Sequence, residues 1–161
     1  MVPVQDLESA RKYCIEGRKS MLMFARREIR RILTDTWDRQ GWAIPDVITD
    51  YEVEVLYKML DRVPWQPEPS YAERYLACRR IDEWLEFGDI CWFTRAVFPQ
   101  CMERRGINER YFTELGQSAW DRVVQLTGNP TLTLMRDHFE WTAEMTYTAI
   151  HAQGEFRSIW E

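Results

Sequence analysis

A chain of 161 residues with 45% apolar and 29% charged side chains has enough apolar material for a core without disulfide or metal staples, which excludes the disordered and disulfide-scaffold classes. Its formal net charge of −5 excludes a chain-wide electrostatic match to nucleic acid or to an anionic membrane. The charge is uneven: from Arg11 to Arg31 there are eight basic residues against Glu16 and Glu28, net +6, so the remainder carries −11.

Punctuation and periodicity predict helices from end to end. Residues 5–16 read as a short helix stopped by Gly17. Ser20 is placed to cap a second helix running to about Arg39, with Met21, Phe24, Ile29, Ile32 and Leu33 as an imperfect apolar stripe and Gly41 as its stop. Residues 46–63 carry two patterns. Tyr51, Val53, Val55 and Tyr57 alternate with acids as in a half-buried strand, whereas Ile48, Tyr51, Val55, Met59 and Val63 recur at helical spacing. The length of the segment, a cap at Asp46 or Asp50, and the lack of a partner strand favour helix.

The stretch VPWQPEP, residues 63–69, has three prolines and reads as a stiff connector. Ser70 and Glu73 form a capping-box pattern for a helix from about Tyr71 to Phe98 before Pro99, straight or kinked along the way. Asn108 is placed to cap a helix reaching Thr127, closed by Gly128-Asn129-Pro130. Pro130 suits the first turn of a last long helix through about Ala152. The tail carries Phe156 and Trp160 as candidates for docking. The expected fold is all-α: one domain over 1–161, a bundle or irregular array of six to seven helices, divisible into an N-terminal layer (1–63), the connector and a C-terminal core (70–153).

Ile81, Trp84, Leu85, Gly88, Cys91, Trp92 and Ala96 share one helical face, so Gly88 lies on the apolar stripe. A mid-helix glycine costs about 1 kcal/mol relative to alanine, which close approach of another backbone offsets. The next helix offers Phe112, Leu115, Gly116, Ala119, Val123 and Leu126. The expectation is a close crossing near Gly88 and Gly116; the competing reading is a kink at Gly88 with Asp89 capping a second helix.

Residues 87–124 combine Gly88-Asp89 in an apolar helix, the Phe98-Pro99 step, the turn Glu103-Arg104-Arg105, the pair Tyr111-Phe112, and Gly116-Gln117-Ser118-Ala119-Trp120. In this order and spacing the segment resembles a family of uncharacterised bacterial all-helical proteins. The resemblance covers about a quarter of the chain, implies a helical bacterial protein, and supplies no activity or functional residue.

Ionisable residues beside the apolar stripes are the candidates for chemistry. Asp89, Arg95 and Glu114 must pair if buried, because a lone buried charge is very costly. Asp89 has Arg95, Tyr111 or Trp120 as possible partners, either closing a structural clip or lining a ligand pocket with Arg95 and His138. The only histidines, His138 and His151, sit about 140° apart on a helical wheel and cannot share a metal. The cysteines Cys14, Cys78, Cys91 and Cys101 form no CxxC pair and match no zinc spacing. Nothing activates Cys91 or Cys101 as a nucleophile, and Ser118 lacks a nucleophile-elbow context. No Gly-rich phosphate loop is present, so no catalytic residue, metal or cofactor is expected.

The basic helix carrying Arg26, Arg27, Arg30 and Arg31 is the strongest interaction signal. It suits phosphates or an acidic protein partner, unless Asp46, Asp50, Glu52 and Glu54 neutralise it within the fold. The N-terminus MVPVQDLESARKY lacks the apolar run of a signal peptide, and no stretch approaches the roughly 18 apolar residues of a membrane span. The leading expectation is therefore a cytoplasmic, non-catalytic helical interaction or regulatory protein, meeting another protein through its basic or Trp/Tyr-rich face. The alternatives are a ligand-binding domain or enzyme with a pocket at Asp89 and Arg95, and a nucleic-acid-associated factor using residues 18–31.

Overall fold

The computed structural model describes residues 25–61, 70–100 and 108–152. The expected helix over 5–16, the Ser20 cap, the connector at 63–69, Cys14, Cys101, the basic turn at 103–105 and the tail lie outside the described residues. Among the described residues there are helices and no strand.

Helix α1 covers residues 25–40 and stops at Gly41, whose φ of 69° is a left-handed conformation that glycine adopts without a Cβ penalty. Helix α2, Asp46–Lys58, with a 3-10 turn at Met59–Asp61, takes the segment that carried both patterns. Its cap differs from expectation. Pro45 holds the N-cap position with no side-chain bond, and Asp46 sits in the first turn, where the helix dipole favours an acid. Asp50 lies inside the helix.

Helix α3, Tyr71–Ala77, begins with both halves of the predicted capping box: Glu73 N–H donates to Ser70 Oγ (3.3 Å) and Ser70 N–H donates to Glu73 Oε2 (3.1 Å). The single helix expected from Tyr71 to Phe98 is broken at residues 78–80. Cys78 takes an extended backbone (φ −64°, ψ 134°), and Glu83 Oε2 accepts from the Arg79 N–H at 3.1 Å, starting the next helix. That helix, α4, Ile81–Val97, runs unbroken through Gly88, so the kink reading fails.

Asn108 caps α5, Glu109–Thr127, by accepting from the Arg110 N–H, and Gly128 (φ 65°) closes it. Asn129 and Pro130 start α6, Pro130–Asp137. The expected last long helix is divided: His138 (φ −113°, ψ 29°) interrupts it, and α7 runs Phe139–Ala152. The break turns Phe139 fully inward, where its ring lies 5.2 Å from that of Trp120.

Residues 87–97 of α4 are all buried, so this helix is surrounded rather than one-sided as the stripe implied. It packs most closely on α5 and then on α7, with Trp92 Nε1 donating to Thr142 Oγ1 at 3.1 Å. The two stripe glycines make room for rings rather than meeting each other. A Cβ on Gly88 would overlap the indole of Trp120, and one on Gly116 would lie 2.8 Å from Cys91 Cβ and 2.7 Å from Phe139 Cε2. The α4–α5 crossing is close, as expected, but glycine faces side chain on both sides of it.

Candidate functional site

Asp89 is 2% exposed and forms the polar centre of the core. Tyr51 Oη donates to its Oδ1 (2.5 Å), Trp120 Nε1 donates to the same oxygen (3.1 Å), and Lys58 Nζ donates to Oδ2 (2.6 Å). Helix geometry explains the set. Tyr51 and Lys58 are seven residues apart on α2 and share a face, while Trp120 reaches over Gly88 from α5. Burial pushes the Asp89 carboxyl above its ordinary value, opposed first by the charge of Lys58 and then by the three hydrogen bonds. The Tyr51 phenol is pushed up strongly, by burial and then by the adjacent carboxylate. Asp89 is not in the lining of the clefts at the α3–α4 elbow or over α5, α6 and α7. The cluster is a clip joining α2, α4 and α5.

Arg95 and His138 do not join it. Arg95, 6% exposed and two turns along α4, sends its guanidinium to Glu144 (3.3 Å) and Glu140 (3.9 Å) on α7. His138 is an exposed C-cap whose ring packs edge-on against Trp141, 5.8 Å away. The three candidates are thus held in three separate settings. Of the partners proposed for Asp89, Trp120 is bonded and Arg95 is not. No local pattern points to Tyr51 and Lys58, which lie 38 and 31 residues from Asp89.

The basic helix is largely engaged by acids. Arg26 pairs with Glu54 (3.2 Å) and covers the Tyr57 ring at 4.2 Å; Arg30 pairs with Asp50 (2.7 Å). Arg31 is held by Glu28 (2.7 Å) and Asp35 (3.1 Å) on its own helix. Arg27 is exposed. Glu52 departs from the expectation that it faces this patch. On a 100° per-residue wheel it lies about 200° from both Asp50 and Glu54, and it is completely buried. Burial raises its carboxyl well above the ordinary range. Thr146 on α7 lies near enough to oppose that rise, yet both carboxyl oxygens and the Thr146 hydroxyl lack a partner in hydrogen-bond geometry among the described residues.

Cys91 is fully buried and its thiol is pushed far up by that burial; Cys78, at the α3–α4 elbow, is pushed up by burial and by Glu83. Neither carries thiolate character. No group of three His, Cys, Asp or Glu side chains suited to a metal occurs among the described residues. No described helix is long and apolar enough to cross a membrane.

A polar groove is open over α5, α6 and α7. One end is lined by Asn108, Arg110, Thr113, Glu114, Gln117 and Glu140. It continues past Ser118 and Asp121 to Arg136 and Asp137. Arg136 bridges Asp121 (2.7 Å) and Asp137 (2.9 Å) across it, and Gln117 Nε2 donates to the Arg136 carbonyl. Ser118, set aside above as a nucleophile, is exposed on its wall. Next to Glu140, Trp141 stands 47% exposed. The chain matches no protein-family model, no curated protein and no solved structure, so the resemblance read over residues 87–124 carries no argument about function.

Proposed function

We propose that this chain is a non-catalytic, cytoplasmic interaction or regulatory protein, and that it meets a protein partner through the groove-bearing face of α5, α6 and α7. The observation that carries this reading is Trp141, nearly half exposed and next in sequence to Glu140, which lines a groove rich in Arg, Gln and carboxylate groups. Tryptophan, with tyrosine and arginine, is among the residue types enriched at binding hot spots. The engagement of Asp89, Arg95, Arg26 and Arg30 by intramolecular partners supports it further, since each is already paired. Free thiols at Cys78 and Cys91 suit a reducing compartment.

The test is site-specific photocrosslinking in the native host. A crosslinker at position 141 is expected to capture one discrete protein, lost when Glu140→Arg is added. A crosslinker at Leu126, exposed near the C-terminal end of α5, is expected not to capture it. Equal capture from both positions, or capture unaffected by Glu140→Arg, sinks the proposal. Recovery of a tightly held small molecule or nucleic acid by native mass spectrometry favours one of the other readings.

A further inference from the structure

We propose that Glu52 is a buried proton-binding site that latches α2 onto the core: the helix stays seated while this carboxyl holds its proton and is released when the proton leaves. Glu52 is fully enclosed, with Thr49, Val53 and Leu56 of its own helix buried around it. Neither of its oxygens has a hydrogen-bond partner among the described residues, and the hydroxyl it faces, Thr146 on α7, also has none. An ionised carboxylate has no compensation in such a place, whereas a neutral acid can be held there.

The described charged groups on the neighbouring helices have partners of their own. On α4, Asp89 is occupied by Tyr51, Lys58 and Trp120. On α1, Arg26 and Arg30 reach the outer edge of α2 through Glu54 and Asp50. On α6, Arg136 is held by Asp121 and Asp137. On α7, His151 stacks on Tyr147 with ring centroids 3.8 Å apart. Among the described residues, burial and Thr146 act on Glu52's proton.

A glutamate in the unfolded chain titrates near pH ~4.3, and Glu52 in the fold titrates higher. Between these values unfolding releases a proton, so the folded-to-unfolded ratio falls by up to about tenfold per pH unit as pH rises. The contribution is complete below the unfolded value and lost as pH passes the folded one. Because surface carboxylates add their own pH dependence, the informative quantity is a difference between wild type and a variant.

The experiment is denaturant unfolding of wild type and Glu52→Gln from about pH 5 to about pH 10, spanning the unfolded-glutamate range and above, with hydrogen exchange of the 46–58 segment. The wild-type folding constant is expected to fall relative to that of Glu52→Gln by up to about tenfold per pH unit before levelling. At the alkaline end, α2 is expected to exchange faster in wild type than in the variant, with α5 unchanged. Parallel pH profiles, or equal α2 exchange, overturn the proposal. If Glu52→Gln does not fold, Glu52→Leu makes the same comparison. Wild type alone gives an independent check: a protonated-carboxyl infrared stretch is expected near neutral pH, and its absence overturns the assignment.

Discussion

Gly88→Ala is expected to destabilise the protein by about 2 kcal/mol, and Gly88→Leu to leave little folded chain at 25 °C. Two effects oppose each other in the alanine variant. Helix propensity favours alanine by about 1 kcal/mol. Overpacking costs about 1–3 kcal/mol and more where the neighbour cannot yield. Here the neighbour is the Trp120 ring, fully buried and flanked by Tyr51 and Phe139 at 5.8 and 5.2 Å, with its N–H bonded to Asp89. A ring fixed on that many sides does not swing aside, so the steric cost wins. Leucine adds three more carbons to the same overlap and exceeds what a domain of marginal stability tolerates. Gly41→Ala is the control: its Cβ meets nothing within 4 Å, so only the strain of φ 69° remains, about 1 kcal/mol. Denaturant midpoints decide; an unchanged midpoint for Gly88→Leu rules out the close contact.

This contact explains why glycine and aspartate adjoin in α4. The glycine lets the indole approach the helix backbone, and the approach brings the indole N–H onto the carboxylate one residue along. The pair is one device with two parts. The sequence stripe placed Gly88 correctly on a packed face, since helical periodicity is a local property. It expected a second helix backbone there, because a glycine records only that something is close.

The same division between local and distant information runs through the rest of the fold. The Ser70–Glu73 box, the Asn108 cap, the Gly128 stop and the proline start at Pro130 were all readable because each involves residues within four positions. The breaks at residues 78–80 and at His138 were not readable. Neither carries glycine or proline, and both are set by where the following helix must lie, with Phe139 entering the core. Glu52 was misplaced for a related reason. Asp50, Glu52 and Glu54 look like one acidic edge when read as alternate residues, yet on a helix the middle one is thrown to the opposite face. Asp89 was identified as a residue that must pair, from the cost of a buried charge; the identity of two of its three partners depended on α2, which no local pattern connects to α4.

Asp89→Ala is expected to cost about 3–5 kcal/mol, the range for removing one member of a buried charged cluster. Not all three partners suffer equally. Lys58 is 37% exposed along its side chain, so water takes up its ammonium. The Tyr51 hydroxyl and the Trp120 N–H are deeper, and each donor left unpaired costs about 1–3 kcal/mol. Asp89→Asn keeps the volume and one acceptor, but its amide turns N–H groups toward one set of donors, so about 2 kcal/mol of loss is expected. A cycle with Tyr51→Phe then isolates the clip, with a coupling of about 0.5–3 kcal/mol for groups in direct contact. Acid does not open it. Burial holds the Asp89 carboxyl above its ordinary value despite Lys58. Its linkage contribution is therefore complete below that ordinary value, about pH 3.9, and is lost as pH rises through the folded one. Wild type is expected to gain on Asp89→Asn as pH is lowered from neutral toward about pH 4, the reverse of a surface salt bridge. Wild-type stability in Asp89→Asn, or a loss of its advantage on acidification, removes the clip as the element that seats α2 and α5 on α4.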